Sequence, residues 1–226
     1  VGSLVVGGSN VTVTYDDATG ELVIDAAGGA PTVVDESSFH SIDGFGQSVS
    51  GATVTLNPDT GLELASGTTG DIADVYRPGR PSFVTEDYFA VKTTIKFGYL
   101  DVTQGDSDKI VGLGAPFFGD PGMGFQISDA FGVEPFYHDG SSKTRLAAVG
   151  STTTSTHEFE AVYTPGGADT TENIEYFVDG ANVASVNSPG IPITPIEDMH
   201  SFAFEISLMS NTQSAAAVGS YRVTLG

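Results

Sequence analysis

The stretch that decides the fold runs from Ile174 to Val186, IEYFVDGANVASV. Two runs of alternating apolar and polar residues flank Asp179-Gly180. Asp-Gly between such runs signals a two-residue hairpin, because a type I′ turn needs positive φ at both central positions. Tyr176 and Phe177 are neighbours, so a strand there sends one ring to each of its faces. Working outward, the chain keeps the same grammar of strand, polar turn and strand. Thr93, Ile95 and Phe97 continue a period of two begun at Phe89 and Val91. Ile110–Leu113, Phe125–Ile127, Glu134–His138, Arg145–Val149, Phe159–Tyr163, Ser201–Met209 and Ser220–Leu225 read as further strands. No amphipathic helix of useful length is legible. About a dozen closely spaced strands predict an all-β protein, an antiparallel β-sandwich of two sheets.

The 14 Phe and 8 Tyr are enough to fill such a core without Trp or Cys, both of which are absent. No disulfide can form, so the fold needs no oxidising compartment. The charge balance is extreme, with 29 acidic residues against 8 basic ones and a net charge of −21. Such a surface repels nucleic acid and anionic membranes, which excludes both as partners. It also repels itself in dilute buffer. Molar salt shortens the screening length to ~3 Å and removes that cost. The composition therefore predicts an extracellular protein working in very high salt, as in halophilic archaea and their viruses. No apolar run reaches the length of a membrane-spanning helix, so membrane insertion is not expected.

Residues 1–30 form a distinct piece. Val11–Tyr15 and Glu21–Asp25 read as two strands around Asp16-Asp17-Ala18-Thr19-Gly20. A lone hairpin is marginal in water, so this one is expected to anchor or oligomerise the protein. Its text, GGSNVTVTYDDATGELVID, resembles the short β-modules of tailed-virus fibres. That resemblance implies a stalk-like, homotrimeric assembly with other virion proteins. Asn10-Val11-Thr12 is also a glycosylation sequon. Residues 26–35 read as a linker, and 68–82 as a turn-rich loop.

Residues 31–226 are expected to form the sandwich. Their order of features resembles the concanavalin A-like lectin/glucanase jelly roll. The carriers are ATVTLNPDTGLELASG, YFAVKTTIKF, HEFEAVYTPGG, IEYFVDGANVAS and the closing SYRVTLG. In that family, glucanases place three acidic residues at alternating positions of one strand, so that two carboxyls flank the scissile bond. No E-x-D-x-x-E strand occurs here. Glu158 and Glu160 alternate, but nothing acidic extends the series. Related alginate lyases need a Gln-x-His strand, and Phe125-Gln126-Ile127-Ser128 lacks the His. The sequence therefore reads as a non-enzyme.

Candidate binding residues remain. Tyr76-Arg77-Pro78-Gly79-Arg80 holds two of the four Arg. Its guanidinium forks suit carboxylates, and Tyr76 offers a stacking face. The loop fits an acidic sugar, a carboxylate of a neighbouring subunit, or local neutralisation of acid. Tyr137 and His138 form a second polar-aromatic pair of the kind that lines sugar sites. Asp101, Asp106 and Asp108 supply hard oxygen ligands that suit Ca²⁺, although not at EF-hand spacing. The four His show no metal-ligand spacing. These features predict a structural protein of a halophilic tailed virus, a fibre, turret or spike subunit at the virion surface. It would display a lectin-like domain for attachment to host cell-surface glycans. The alternative is a carbohydrate-binding module of a haloarchaeal secreted or surface protein, or a glycoside hydrolase or polysaccharide lyase.

Overall fold

The computed structural model describes residues 11–16, 21–26, 31–68, 70–78, 91–103, 107–114, 121–128, 131–150, 155–191, 202–210 and 214–226. Contacts divide the chain into two compact units. The first, within residues 1–32, holds β1 (Val11–Asp16) and β2 (Glu21–Ala26), paired antiparallel with Val13 opposite Ile24 and Tyr15 opposite Leu22.

The second unit, residues 33–225, is an antiparallel jelly-roll sandwich with no helix among the described residues. Its strands are β3 (Thr32–Ser37), β4 (Gly46–Ser50), β5 (Thr53–Asn57), β6 (Gly61–Ser66), β7 (Ile72–Pro78), β8 (Thr93–Thr103), β9 (Ser107–Gly114) and β10 (Gly122–Ser128). They continue with β11 (Gly132–His138), β12 (Lys143–Arg145), β13 (His157–Thr164), β14 (Asn173–Val178), β15 (Ala181–Asn187), β16 (Phe202–Ser210) and β17 (Ser214–Leu225). A seven-stranded sheet has the order β12-β11-β10-β9-β16-β7-β4. The facing sheet of eight runs β15-β14-β13-β8-β17-β6-β5, with β3 also paired to β17.

The hairpin that opens the reading forms as expected. Asp179 and Gly180 have φ of 50° and 78°, the left-handed pair that this turn requires. Tyr176 is fully buried while Phe177, on the other face, is partly exposed. The Tyr176 hydroxyl donates to the Phe136 carbonyl at 2.6 Å, tying β14 of one sheet to β11 of the other. Between the sheets, Phe125 meets Phe159 edge to face at 4.8 Å and Tyr176 at 5.5 Å. Thr93, Ile95, Phe97 and Tyr99 are buried along one face of β8, as their period of two requires. Phe89 lies outside the described residues, and Val91 precedes the strand with 39% exposure.

Several sequence expectations need correction. The supposed loop 68–82 contains β7, and the supposed linker 26–35 runs into β3. In β7 the apolar residues Ala73 and Val75 alternate with Asp74 and Tyr76, and its polar and Pro residues hid that alternation. The strand expected at Arg145–Val149 is instead the short edge strand Lys143–Arg145.

Candidate functional site

In the seven-stranded sheet, side chains alternate between the core and the face turned away from it. Ala73, Val75, Val111, Leu113, Met123, Phe125, Ile127, Ile206 and Leu208 enter the core. Their neighbours fall on the outer face, and the register lines them up in rows. One row crosses six strands: Ser48, Asp74, Ser207, Ile110, Gln126 and Glu134. The next row holds Gly46, Tyr76, Glu205, Gly112, Gly124, Phe136 and Arg145. A further row runs Gly114, Gly122, His138 and Lys143.

The glycines give this face its shape. Gly112 pairs with Gly124, and Gly114 with Gly122, so a patch of β9 and β10 carries no side chains. A Cβ on Gly112 would lie 2.3 Å from the Met123 carbonyl oxygen, and one on Gly124 would lie 2.1 Å from that of Val111. Glycine is therefore a backbone requirement here, and it leaves a buried floor without side chains between the Asp74 side and the Glu134 side.

Asp74 is the chemically distinctive member. It is fully buried, and its Oδ1 accepts a hydrogen bond from the Ser207 hydroxyl at 2.7 Å. Its Oδ2 has no hydrogen-bond partner among the described residues. Burial pushes its pKa up to about 6, and the Ser207 bond pulls the other way without compensating. Near neutral pH this carboxyl can therefore hold or release a proton.

Across the floor stands a basic edge. Lys143 donates to the Gln126 side-chain oxygen at 2.8 Å and lies 5.6 Å from the Phe136 ring centre. Arg145 pairs with Glu134 at 3.3 Å and sits over the exposed ring of Phe131 at 5.3 Å. Two of the chain's eight cations thus stand on one three-residue strand.

The residues singled out in the sequence divide between the two faces. Tyr76 is on the outer face, with its ring so close over Gly46 that a Cβ there would overlap it. Arg77 points the other way. It reaches Asp35 at 3.5 Å, donates to the Asp43 carbonyl at 3.2 Å and covers the Phe45 ring, so it pins the 35–45 segment. Arg80 lies outside the described residues. His138 joins the outer face, with Nδ1 accepting from Gly140 N at 3.0 Å, whereas Tyr137 packs against the core. Asp101 is buried in an ion pair with Lys109 at 2.6 Å, between the two sheets. Asp108 is exposed, and Asp106 lies outside the described residues. No group of three or more His, Asp or Glu placed to hold a metal occurs among the described residues.

No family model matches the sequence, and no curated protein matches it. The fold, however, is shared with solved structures. One is a carbohydrate esterase from the Shiga toxin-encoding bacteriophage phi24B, 10% identical, covering 87% of this chain and all of that one with a TM-score of 0.57. Another is the Crh5 transglycosylase in complex with NAG, 12% identical over 87% and 88% of the two chains, TM-score 0.56. A third is the endo-1,3-beta-glucanase of Streptomyces sioyaensis, 13% identical over 88% and 98%, TM-score 0.54. The chain thus shares the concanavalin A-like jelly-roll fold with these structures. The expectation of a non-enzyme is corrected on this finding. Enzymes share the fold, and lack of a three-carboxylate strand excludes nothing when carboxyls reach one face from different strands, Asp74 of β7 and Glu134 of β11.

Proposed function

We propose that the chain is a carbohydrate-engaging jelly-roll domain that holds a glycan at the outer face of the seven-stranded sheet, where Asp74 and the glycine floor are buried and the Lys143–Arg145 edge is exposed. The observation that carries this reading is the Asp74 carboxyl. A buried carboxyl oxygen without a partner is costly, and a sugar hydroxyl donating to Oδ2 would remove that cost. Gln126, Glu134, Lys143 and Arg145 supply hydrogen-bonding groups on the far side, and Tyr76 supplies a ring at the near side. The charge of −21 supports work in molar salt. Displayed on a virus particle or a cell surface, the domain would meet host glycan with this face.

A second reading is hydrolysis. Asp74 with a pKa of about 6 has the character of a general acid.

The test is an array of neutral and acidic glycans probed with the full chain and with Asp74→Asn in molar salt. Glycan retention lost in the variant supports the domain's role, and release of new reducing ends by the wild type alone establishes the second reading. Equal retention by both proteins, or none by either, refutes the assignment.

A further inference from the structure

The outer face of the eight-stranded sheet carries a trench of its own. It has two lobes of about 550 and 800 Å³ that share Ser38, His40 and Gly98. Both volumes fall within the range of about 300–1,000 Å³ typical of small-ligand sites. The trench lies beneath the segment 36–41. Phe39 anchors that segment, with its ring buried against Tyr221 at 5.7 Å, and leaves Ser38 and His40 exposed beside the trench. Ser38 Oγ and His40 Nδ1 are 2.7 Å apart.

The floor is made by glycines that the backbone does not require. Gly98 sits in the middle of β8, between Glu158 of β13 and Ser220 of β17. A Cβ there would meet nothing within 4 Å, and one on Gly219 would meet only the Thr60 carbonyl oxygen at 3.7 Å. Glycine in a strand interior weakens the strand and often marks a close approach by a ligand. Sterics explain Gly112 and Gly124 on the other sheet; nothing steric explains Gly98.

The walls define the ligand's chemistry. Lys96 pairs with Glu158 at 2.8 Å and Arg222 with Glu36 at 2.9 Å. The two cations face each other across β8 and β17. Asp59 of the first lobe adds a negative charge that sets the trench against anions, while the two pairs cancel and select no ion. Each instead sets a donor beside an acceptor, which matches adjacent sugar hydroxyls, and Leu56, 39% exposed, offers an apolar surface to a ring's C–H face. A peptide strand is disfavoured. The backbone of β8 is already bonded on both sides by β13 and β17, leaving no edge to extend.

We propose that this trench is a second glycan site, for a neutral oligosaccharide, separate from the Asp74 face and independent of it. The probe is an array of neutral and uronate-bearing oligosaccharides, applied to the full chain, Gly98→Val, Gly98→Ala and Asp74→Asn. Valine is favoured in strands and meets open space, so Gly98→Val should keep or raise the melting temperature. The expected result is a neutral-oligosaccharide affinity that falls at least tenfold in Gly98→Val, falls less in Gly98→Ala and survives in Asp74→Asn. Unchanged retention of every neutral oligosaccharide by Gly98→Val, or retention of uronates alone by the wild type, overturns the proposal. Loss in Asp74→Asn alone touches only the first site.

Discussion

Replacing Asp74 by Asn keeps an acceptor for the Ser207 hydroxyl while removing the ionisable group. In the folded protein the carboxyl has a pKa of about 6, against its ordinary value of 3.8. Between these values the native state holds a proton that the unfolded chain has lost. Stability linked to this group is therefore fully present below about pH 4 and is lost as pH rises toward 6 and beyond. The difference between the two values corresponds to about 3 kcal/mol. In Asp74→Asn that penalty is absent, so the stability difference, variant minus wild type, should grow by about 3 kcal/mol from pH 3.5 to pH 7.5. In a chain of this length the corresponding change in Tm is roughly 6–12 °C. Urea titrations of both proteins across that range at constant molar salt measure it, and the remaining carboxyls cancel in the difference. A difference that is flat with pH, or that widens toward acid, would show that the carboxylate is well solvated or paired in the native state. Asp74 would then be an ordinary ionised carboxylate near neutral pH.

The remaining predictions concern packing, the turn and salt. Lys109→Met removes the buried cation that pairs with Asp101 between the sheets and should cost about 3–5 kcal/mol. The double variant with Asp101→Leu should recover most of that loss in the same denaturation assay. Tyr176→Phe leaves the Phe136 carbonyl without its donor across the sandwich and should cost about 1–3 kcal/mol. Gly180→Ala places a Cβ in open space but at φ 78°, so a loss of about 1–2 kcal/mol there is purely backbone strain. Raising salt from 0.1 M to 2 M should raise the melting temperature, because screening relieves repulsion among a surplus of 21 negative charges.

The sandwich was legible because its strands repeat a period of two and its tightest turn needs Asp-Gly. Tyr176, Phe97 and Phe159 all sit where alternation places them. The site was not legible as a site. Asp74, Ser207 and the hairpin that carries Gln126 and Glu134 lie far apart in the chain, and only sheet order brings them into one row. A search for carboxylates spaced along a single strand cannot find such a row. β7 was missed because Asp74, Arg77 and Pro78 made a buried strand look like a loop, although Ala73 and Val75 already showed its inner face. Tyr76 and Arg77, like Tyr137 and His138, are divided between two faces because neighbours in a strand point to opposite sides. One signal was available and went unused: Gly112, Gly114, Gly122 and Gly124 repeat at period two, which marks a strand face stripped of side chains.

The most direct test of the central claim is the equilibrium affinity of the full chain for a retained glycan, measured by calorimetry in molar salt for wild type and Asp74→Asn. The account predicts that the component lost in the variant is at least tenfold weaker while the fold is as stable or more so. A variant that binds every glycan as tightly as the wild type would show that the Asp74 carboxyl takes no part in recognition, and the account would be wrong.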